Sequence, residues 1–234
     1  MTDHVHDLRS VRAATERLLT AVGKLDNAAL AEESHLPGWS RGHVLAHLAR
    51  NADALVNVLE GRPMYVSAEA RDADIERDSV RPLVEQLEDV RNSADRFEAV
   101  GQSAQDWSRT VELRGGVTDV ATNVPFRRLV EVELHHVDLN VGYGLADLPE
   151  EFARREIAFL ADRWTGRPEV PPVSLRTPDD AGVWRTGSAE GDPVTLTGPL
   201  SELLAWLAGR ESKGAGLTVD GGALPALPRS RIGS

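Results

Sequence analysis

Apolar side chains recur every three or four residues over much of the first two-thirds of the chain, which is the spacing of one helix face. The pattern predicts helices over about 3–22, 40–61, 78–100, 125–143 and 150–164. In the third of these helices, Val80 and Val84 are expected on the buried side. The chain is also predicted to become helical near Ala68 and to form a small hairpin around Gly115–Gly116. This part of the chain is therefore predicted to be mainly α-helical.

The pattern changes after Thr165, where the Gly- and Pro-rich stretch 166–172 predicts a linker. Short alternating segments typical of strands follow at 173–177, 193–197 and 217–219, with a helix predicted over 199–209. These elements indicate a small α+β unit. The sequence therefore predicts a helical domain over 1–165 and an α+β domain over 172–234.

The composition is that of a soluble globular protein, with 41% hydrophobic and 27% charged residues among 234. The formal net charge of -11 argues against nucleic acid and anionic membranes as partners. No apolar run reaches the length of a membrane span, and the N-terminus lacks an apolar signal segment, so residence in the cytoplasm is expected. The chain has no cysteine, so any thiol chemistry must use a thiol supplied from outside.

Candidate metal-binding chemistry lies in the predicted helix that begins at Pro125. Glu131 and His135 are four residues apart, which places their side chains on one helix face, one turn apart. A carboxylate and an imidazole so placed can hold two corners of a tetrahedral zinc site, and His47 on another predicted helix can supply a third. The hypothesis is an open metal site within a helical bundle.

Spacing alone leaves alternative ligands. Glu133 and His136 are three residues apart on a different face of the same helix, and His43 lies one turn before His47. Asp138 is one turn beyond His135, a spacing that points its side chain alongside the imidazole ring rather than behind it. Periodicity does not decide among these residues.

Two motifs carry a resemblance to a known family. Leu36–Asn51 resembles the opening motif of the DinB-like metal-dependent bundle proteins, and Glu131–Leu139 resembles their second metal motif. Within that superfamily the chain is most similar to the mycothiol-dependent maleylpyruvate isomerase family, and Pro63–Arg71 resembles a segment of the isomerases themselves. The resemblance implies a DinB-like four-helix bundle followed by a sterol-carrier-like C-terminal domain.

The resemblance also implies roles for particular residues. It carries the metal ligands onto His47, Glu131 and His135, against the rival pair on the same helix. It matches the catalytic arginine of the family to Arg71, which its neighbours Glu69 and Asp72 alone would make a surface ion pair. Ala208–Arg210 resembles a functionally important arginine motif, so Arg210 is expected to bind substrate or cofactor from the second domain.

The implied activity is cis–trans isomerisation of maleylpyruvate to fumarylpyruvate, a step of gentisate degradation. The implied cofactors are zinc, or another divalent metal, and the low-molecular-weight thiol mycothiol. A metal-activated thiolate that adds to the double bond makes it single in an enolate, so the bond rotates before the thiolate leaves. Two other functions stay open, a mycothiol-dependent S-transferase and a non-enzymatic regulatory protein that binds a metal or small ligand.

Overall fold

The computed structural model describes residues 3–210 and 216–227, which form seven α-helices and two small sheets. The helices α1 to α7 span His4–Val22, Arg41–Leu59, Ala68–Ser79, Leu83–Ser103, Val124–Asp138, Glu150–Trp164 and Leu200–Ala208. The strands β1 to β6 span Thr110–Glu112, Thr118–Val120, Val173–Arg176, Val183–Thr186, Val194–Thr197 and Thr218–Asp220. Within these described residues, no helix combines the length and apolar character that crossing a membrane requires.

The chain divides into two compact units, Met1–Tyr143 and Gly144–Ser234. In the first unit, α2 packs against α3, α4 and α5, and α1 packs against α4 and α5. The centre of this bundle is an apolar face of α2 with almost no solvent exposure, formed by Val44, Leu45, Leu48, Ala52 and Leu55. The predicted hairpin is also present, because β1 and β2 pair antiparallel around the two glycines. The predicted helical bundle is therefore confirmed.

The predicted helix over 78–100 is wrong at its start. The chain there forms two helices, because Pro82 cannot continue a helical hydrogen-bond ladder and disfavours helical backbone at the residue before it. The break turns Val80 and Val84 outward, where they are 84% and 61% exposed rather than buried. The helical stretch predicted near Ala68 is the separate helix α3.

Helix α5 ends earlier than predicted, at Asp138 rather than near Tyr143. Asn140 and Gly142 have positive φ angles of 55° and 89°, which a right-handed helix does not contain. Apolar spacing alone does not report this change, because Val141 continues the stripe. The residues of the second candidate metal motif therefore lie in the last two turns of the helix.

The second unit is built on a four-stranded sheet in the order β4-β3-β5-β6. Strand β3 runs parallel to β5, and the other neighbouring pairs are antiparallel. Strand β4 is absent from the prediction, because its burial does not follow polarity: the apolar Val183 is half exposed and the polar Thr186 is buried. The predicted α+β character is confirmed. Helix α6 packs on α7 and β4, so the units divide before α6, whereas the sequence pattern places the boundary after it.

Helix α3 is held against α2 by a close backbone approach and a buried carboxylate. A Cβ on Gly42 of α2 would lie 2.1 Å from the carbonyl oxygen of Ser79, so only glycine permits this contact. The buried Asp78 carboxylate accepts hydrogen bonds from Arg77 Nε at 2.8 Å and pairs with Arg81 Nη2 at 2.6 Å, and Arg50 of α2 lies 3.8 Å away. These contacts fix the helix that carries Arg71.

We expect Asp78→Asn to lower the free energy of unfolding by about 1–3 kcal/mol, because it removes the buried negative charge and replaces one acceptor oxygen with an NH2 group that faces arginine donors. Asp74→Asn is the matched control, since Asp74 lies on the same helix and pairs with the same Arg77 but is exposed. The control should change stability by less than about 0.5 kcal/mol. Urea unfolding of both variants measures the difference, and equal effects would contradict the anchoring role of Asp78.

Candidate metal centre

Helices α2 and α5 bring the three predicted ligands together. His47, Glu131 and His135 each offer a ligand atom, and these atoms all lie within 4.8 Å of one another. Nε2 of His47 is 2.9 Å from Oε2 of Glu131, and Nε2 of His135 is 3.2 Å from the same oxygen. The two imidazole rings are nearly perpendicular, with centroids 4.7 Å apart. Two imidazole nitrogens thus converge on one carboxylate oxygen inside the bundle.

The donor set fits a divalent metal ion. Two imidazoles and one carboxylate are a combination found in catalytic zinc sites, and they also suit non-haem iron. Nε2 of His135 is buried, and its 3.2 Å contact with Oε2 of Glu131 is not aligned as a hydrogen bond. A metal ligated by that nitrogen would give this buried polar atom a partner.

Burial and mutual contacts shift the pKa values of all three residues, and for His47 and Glu131 the shifts favour the charge states that bind a metal. Burial lowers the pKa of His47 to about 4, so its imidazole is neutral at neutral pH. Burial alone would raise the pKa of Glu131, but the interactions with His135 and His47 outweigh it and hold that pKa well below the ordinary value. For His135, burial lowers the pKa, yet Asp138 and Glu131 together raise it above its usual value. The site therefore concentrates negative charge beside two imidazoles.

Arg71 of α3 contacts this centre and is not the surface ion pair that its neighbours suggest. Its side chain is only 3% exposed, although Nη1 still pairs with Asp72 at 2.7 Å. Nη2 donates a hydrogen bond to Nδ1 of His47 at 3.2 Å. Because a guanidinium only donates, Nδ1 accepts, and the proton of neutral His47 lies on Nε2, which donates to Glu131. Arg71 is thus one hydrogen bond behind a candidate ligand.

Asp138 lies behind the His135 ring, not alongside it as the helical spacing suggests. Its buried Oδ2 is 2.8 Å from Nδ1 of His135, on the side of the ring opposite the other ligands. A carboxylate in this position orients the imidazole and makes it a stronger ligand. The sequence correctly pairs these two residues but misses the direction of the contact.

We expect Asp138→Asn to weaken metal binding by about 10- to 100-fold, the usual cost of removing such an outer partner. The amide keeps the size of the side chain but removes the negative charge from Nδ1 of His135. Competition with a chromogenic chelator measures the affinity, and circular dichroism checks the fold. An unchanged affinity in a folded variant would contradict the orienting role.

The rival ligands face other partners. Glu133 is ion-paired with Arg17 of α1 and accepts a hydrogen bond from Tyr143 at 2.9 Å. His136 stacks on the Tyr143 ring with centroids 4.0 Å apart. His43 uses Nδ1 to accept a hydrogen bond from the Ser40 backbone at the start of α2. Among the described residues, it is His47, Glu131 and His135 whose ligand atoms lie close enough together to share one metal ion.

The sequence assigns no functional role to three side chains that lie near the candidate metal ligands or Arg71. Trp39 packs against His47 with ring centroids 5.5 Å apart, and the Tyr65 ring lies 6.0 Å from the Arg71 guanidinium carbon. Arg128 is fully buried on α5, three residues before Glu131. A basic residue one turn before Glu131, on the same helix face as the candidate ligands, is the signal that could identify Arg128 from the sequence.

Arg210 belongs to the second unit and directly follows α7. Gly209 ends the helix with a φ of 64°, and the Arg210 backbone N–H donates to the carbonyl of Ala205 at 3.0 Å. Nη1 of Arg210 donates to the carbonyl of Ala208 at 3.1 Å, which stabilises the C-terminal end of the helix. Its role in binding substrate or cofactor stays a prediction.

Family models match both units of the chain, and solved structures match nearly its whole length. A family model described as the mycothiol maleylpyruvate isomerase N-terminal domain matches residues 11–140, and one for the corresponding C-terminal domain matches residues 147–229. A crystal structure of the mycothiol-dependent maleylpyruvate isomerase is 29% identical, covers 97% of each chain and gives a TM-score of 0.88. A histidine-to-alanine mutant of the isomerase is 28% identical, with the same coverage and TM-score. No curated protein sequence matches this chain significantly.

Proposed function

Because this chain belongs to the mycothiol-dependent maleylpyruvate isomerase family, we propose that it catalyses the thiol-dependent isomerisation of maleylpyruvate to fumarylpyruvate. The observation that carries the proposal is the convergence of His47, Glu131 and His135, with a buried arginine hydrogen-bonded to one of them. This reaction would place the protein in gentisate degradation. Its residence in the cytoplasm stays a prediction.

His47, Glu131 and His135 would hold zinc or another divalent ion. Their combined charge of about -1 leaves a bound divalent ion with about +1, and three protein ligands are the number that catalytic sites use. When bound, such an ion keeps a coordinating thiol deprotonated at neutral pH. His47 is already neutral and Glu131 already ionised, which are the charge states that ligation requires.

The chain itself has no cysteine, so the thiol must come from a small molecule, and the family supports mycothiol. Mycothiol supplies a nucleophile whose reversible addition to the substrate double bond permits rotation. The contribution of the protein is to hold the substrate while that bond is single, and to return it as the trans isomer.

Arg71 is the residue we assign to substrate charge. Its guanidinium offers paired donors to a carboxylate or to an enolate oxygen. Its contact with His47 supports a position beside the reacting groups. We propose a second binding role, to substrate or thiol, for Arg210, on the strength of the family motif alone.

The thiol balance of the reaction tests this function. An isomerase returns its thiol at each turnover, so mycothiol should be recovered unchanged after many equivalents of maleylpyruvate are converted. An S-transferase on the same site would consume one mycothiol for each product molecule. Quantifying free thiol and fumarylpyruvate together distinguishes them. Metal binding without either reaction would support the regulatory alternative instead.

A further inference from the structure

Arg128 is a buried arginine that links the two helices of the metal centre. It lies one turn before Glu131 on α5, and its side chain is fully buried. Nη1 donates to the carbonyl of Leu48 at 2.9 Å and to Oδ1 of Asn51 at 2.8 Å, both on α2. The guanidinium therefore spans the same helix pair that supplies His47 and Glu131.

The other edge of this guanidinium has no partner. Nε and Nη2 of Arg128 are both buried, and neither makes a hydrogen bond. These two nitrogens carry parallel N–H groups, the fork that binds a carboxylate through two hydrogen bonds. A buried charged donor without an acceptor is costly, and native proteins rarely retain one without a functional reason.

The fork carries a positive charge close to the metal ligands. Burial lowers the pKa of Arg128 to about 10, which still leaves the group charged at neutral pH. Among the groups that oppose this shift, Glu131 has the largest effect, followed by Tyr65 and Asp53. None of these three is hydrogen-bonded to the fork. The fork thus lies near the ligand carboxylate but does not use it as its acceptor.

We propose that the Nε–Nη2 edge of Arg128 binds one carboxylate of the organic-acid substrate beside the metal ligands. Maleylpyruvate is a dicarboxylate, so this assignment leaves Arg71 for the second carboxylate or for the enolate oxygen. The inference deepens the proposed function and rests on it for the identity of the substrate. The part that does not depend on the identity of the substrate is a carboxylate-binding subsite at the buried Nε–Nη2 edge of Arg128. Equilibrium binding of a dicarboxylate tests that subsite without turnover.

Arg128→Lys separates this role from a structural one. Lysine keeps the charge and can still donate to Leu48 and Asn51, but it has no fork. Arg41→Lys is the matched control, because Arg41 is also buried on α2 and all of its guanidinium nitrogens are hydrogen-bonded. Its acceptors are Leu139, Ala29, Glu32 and Asn140. The control loses structural hydrogen bonds without touching the proposed subsite.

The experiment is calorimetric titration of the metal-loaded full chain with maleate, a four-carbon dicarboxylate. We expect Arg128→Lys to bind maleate about 10- to 100-fold more weakly, the effect of losing a charge-assisted pair of hydrogen bonds. Metal content should not change, and Arg41→Lys should bind maleate like the wild type. The KM for maleylpyruvate should rise in parallel, with kcat much less affected. Wild-type affinity for maleate in Arg128→Lys, or no maleate binding by the wild type, would overturn the inference.

Different results would contradict the isomerase function and the Arg128 subsite. Maleate binding that depends on Arg128 in a protein without maleylpyruvate turnover would reject the isomerase function and keep the subsite. Normal turnover with unchanged KM in Arg128→Lys would reject the subsite alone. If the lysine variant does not fold, a crystal structure of the wild type soaked with maleate decides. A carboxylate within hydrogen-bonding distance of Nε and Nη2 supports the inference, and an unoccupied fork beside maleate bound elsewhere overturns it.

Discussion

His47→Ala is expected to abolish metal binding and turnover together while the helical bundle survives. The substitution leaves Glu131 and His135 as the remaining ligands, fewer than the three that catalytic zinc sites use. The loss of affinity should exceed the roughly 10- to 100-fold cost of losing an outer partner. Metal content after dialysis, measured by mass spectrometry, should fall from about one equivalent to near zero.

Matched histidine variants make this result specific. His43→Ala alters the same helix one turn earlier, where the ring contacts Ser40 and Glu76 rather than the three ligands. His136→Ala is the corresponding control for His135→Ala, because adjacent residues of α5 face different partners. Both controls should keep their metal. Full metal retention in folded His47→Ala would defeat the ligand assignment.

Arg71→Ala is expected to lower turnover by about 100- to 1,000-fold with the metal still bound. Losing one donor to a developing negative charge has effects of this size in other enzymes. Arg71→Lys should recover only part of the activity, because lysine restores the charge without the paired donors. Steady-state kinetics of both variants, with metal content measured on the same samples, tests the assignment.

The hydrogen bond between Arg71 and His47 predicts a second measurable effect of Arg71→Ala, on metal affinity. The donated hydrogen bond to Nδ1 places the His47 proton on Nε2, the nitrogen that faces Glu131. A metal ion ligated by Nε2 requires the other tautomer, so Arg71 and the ion favour opposite states of this ring. Arg71→Ala should therefore bind metal at least as tightly as the wild type. Near-normal kinetics, or loss of the metal, would remove Arg71 from the proposed role.

Spacing along the sequence does not by itself identify the metal ligands. The spacing of Glu131 and His135 correctly places two ligand types on one face, but Glu133 and His136 are equally acceptable by that criterion. Helix α5 packs against α1 on one side and α2 on another, so both pairs are buried or nearly so. Only the partner helix distinguishes them, and its identity is a property of the fold.

The surroundings of Arg71 and Asp138 depend on tertiary contacts that sequence spacing does not encode. Arg71 is buried because α3 docks on α2, whereas its charged neighbours predict an exposed ion pair. Asp138 reaches the far side of the His135 ring at the last turn of α5. Pro82 was a visible helix breaker, and recognising it would have separated α3 from α4. The family motifs, in contrast, identified the bundle and the small α+β unit along nearly the whole chain.

The most direct test of the central claim is the initial rate of maleylpyruvate isomerisation by the zinc-loaded protein, with and without mycothiol. We expect turnover that requires both the metal and the thiol and that is absent in His47→Ala. The same rate without mycothiol would contradict the external-thiol mechanism. No turnover with mycothiol, in a folded protein that holds its metal, would contradict the isomerase function itself.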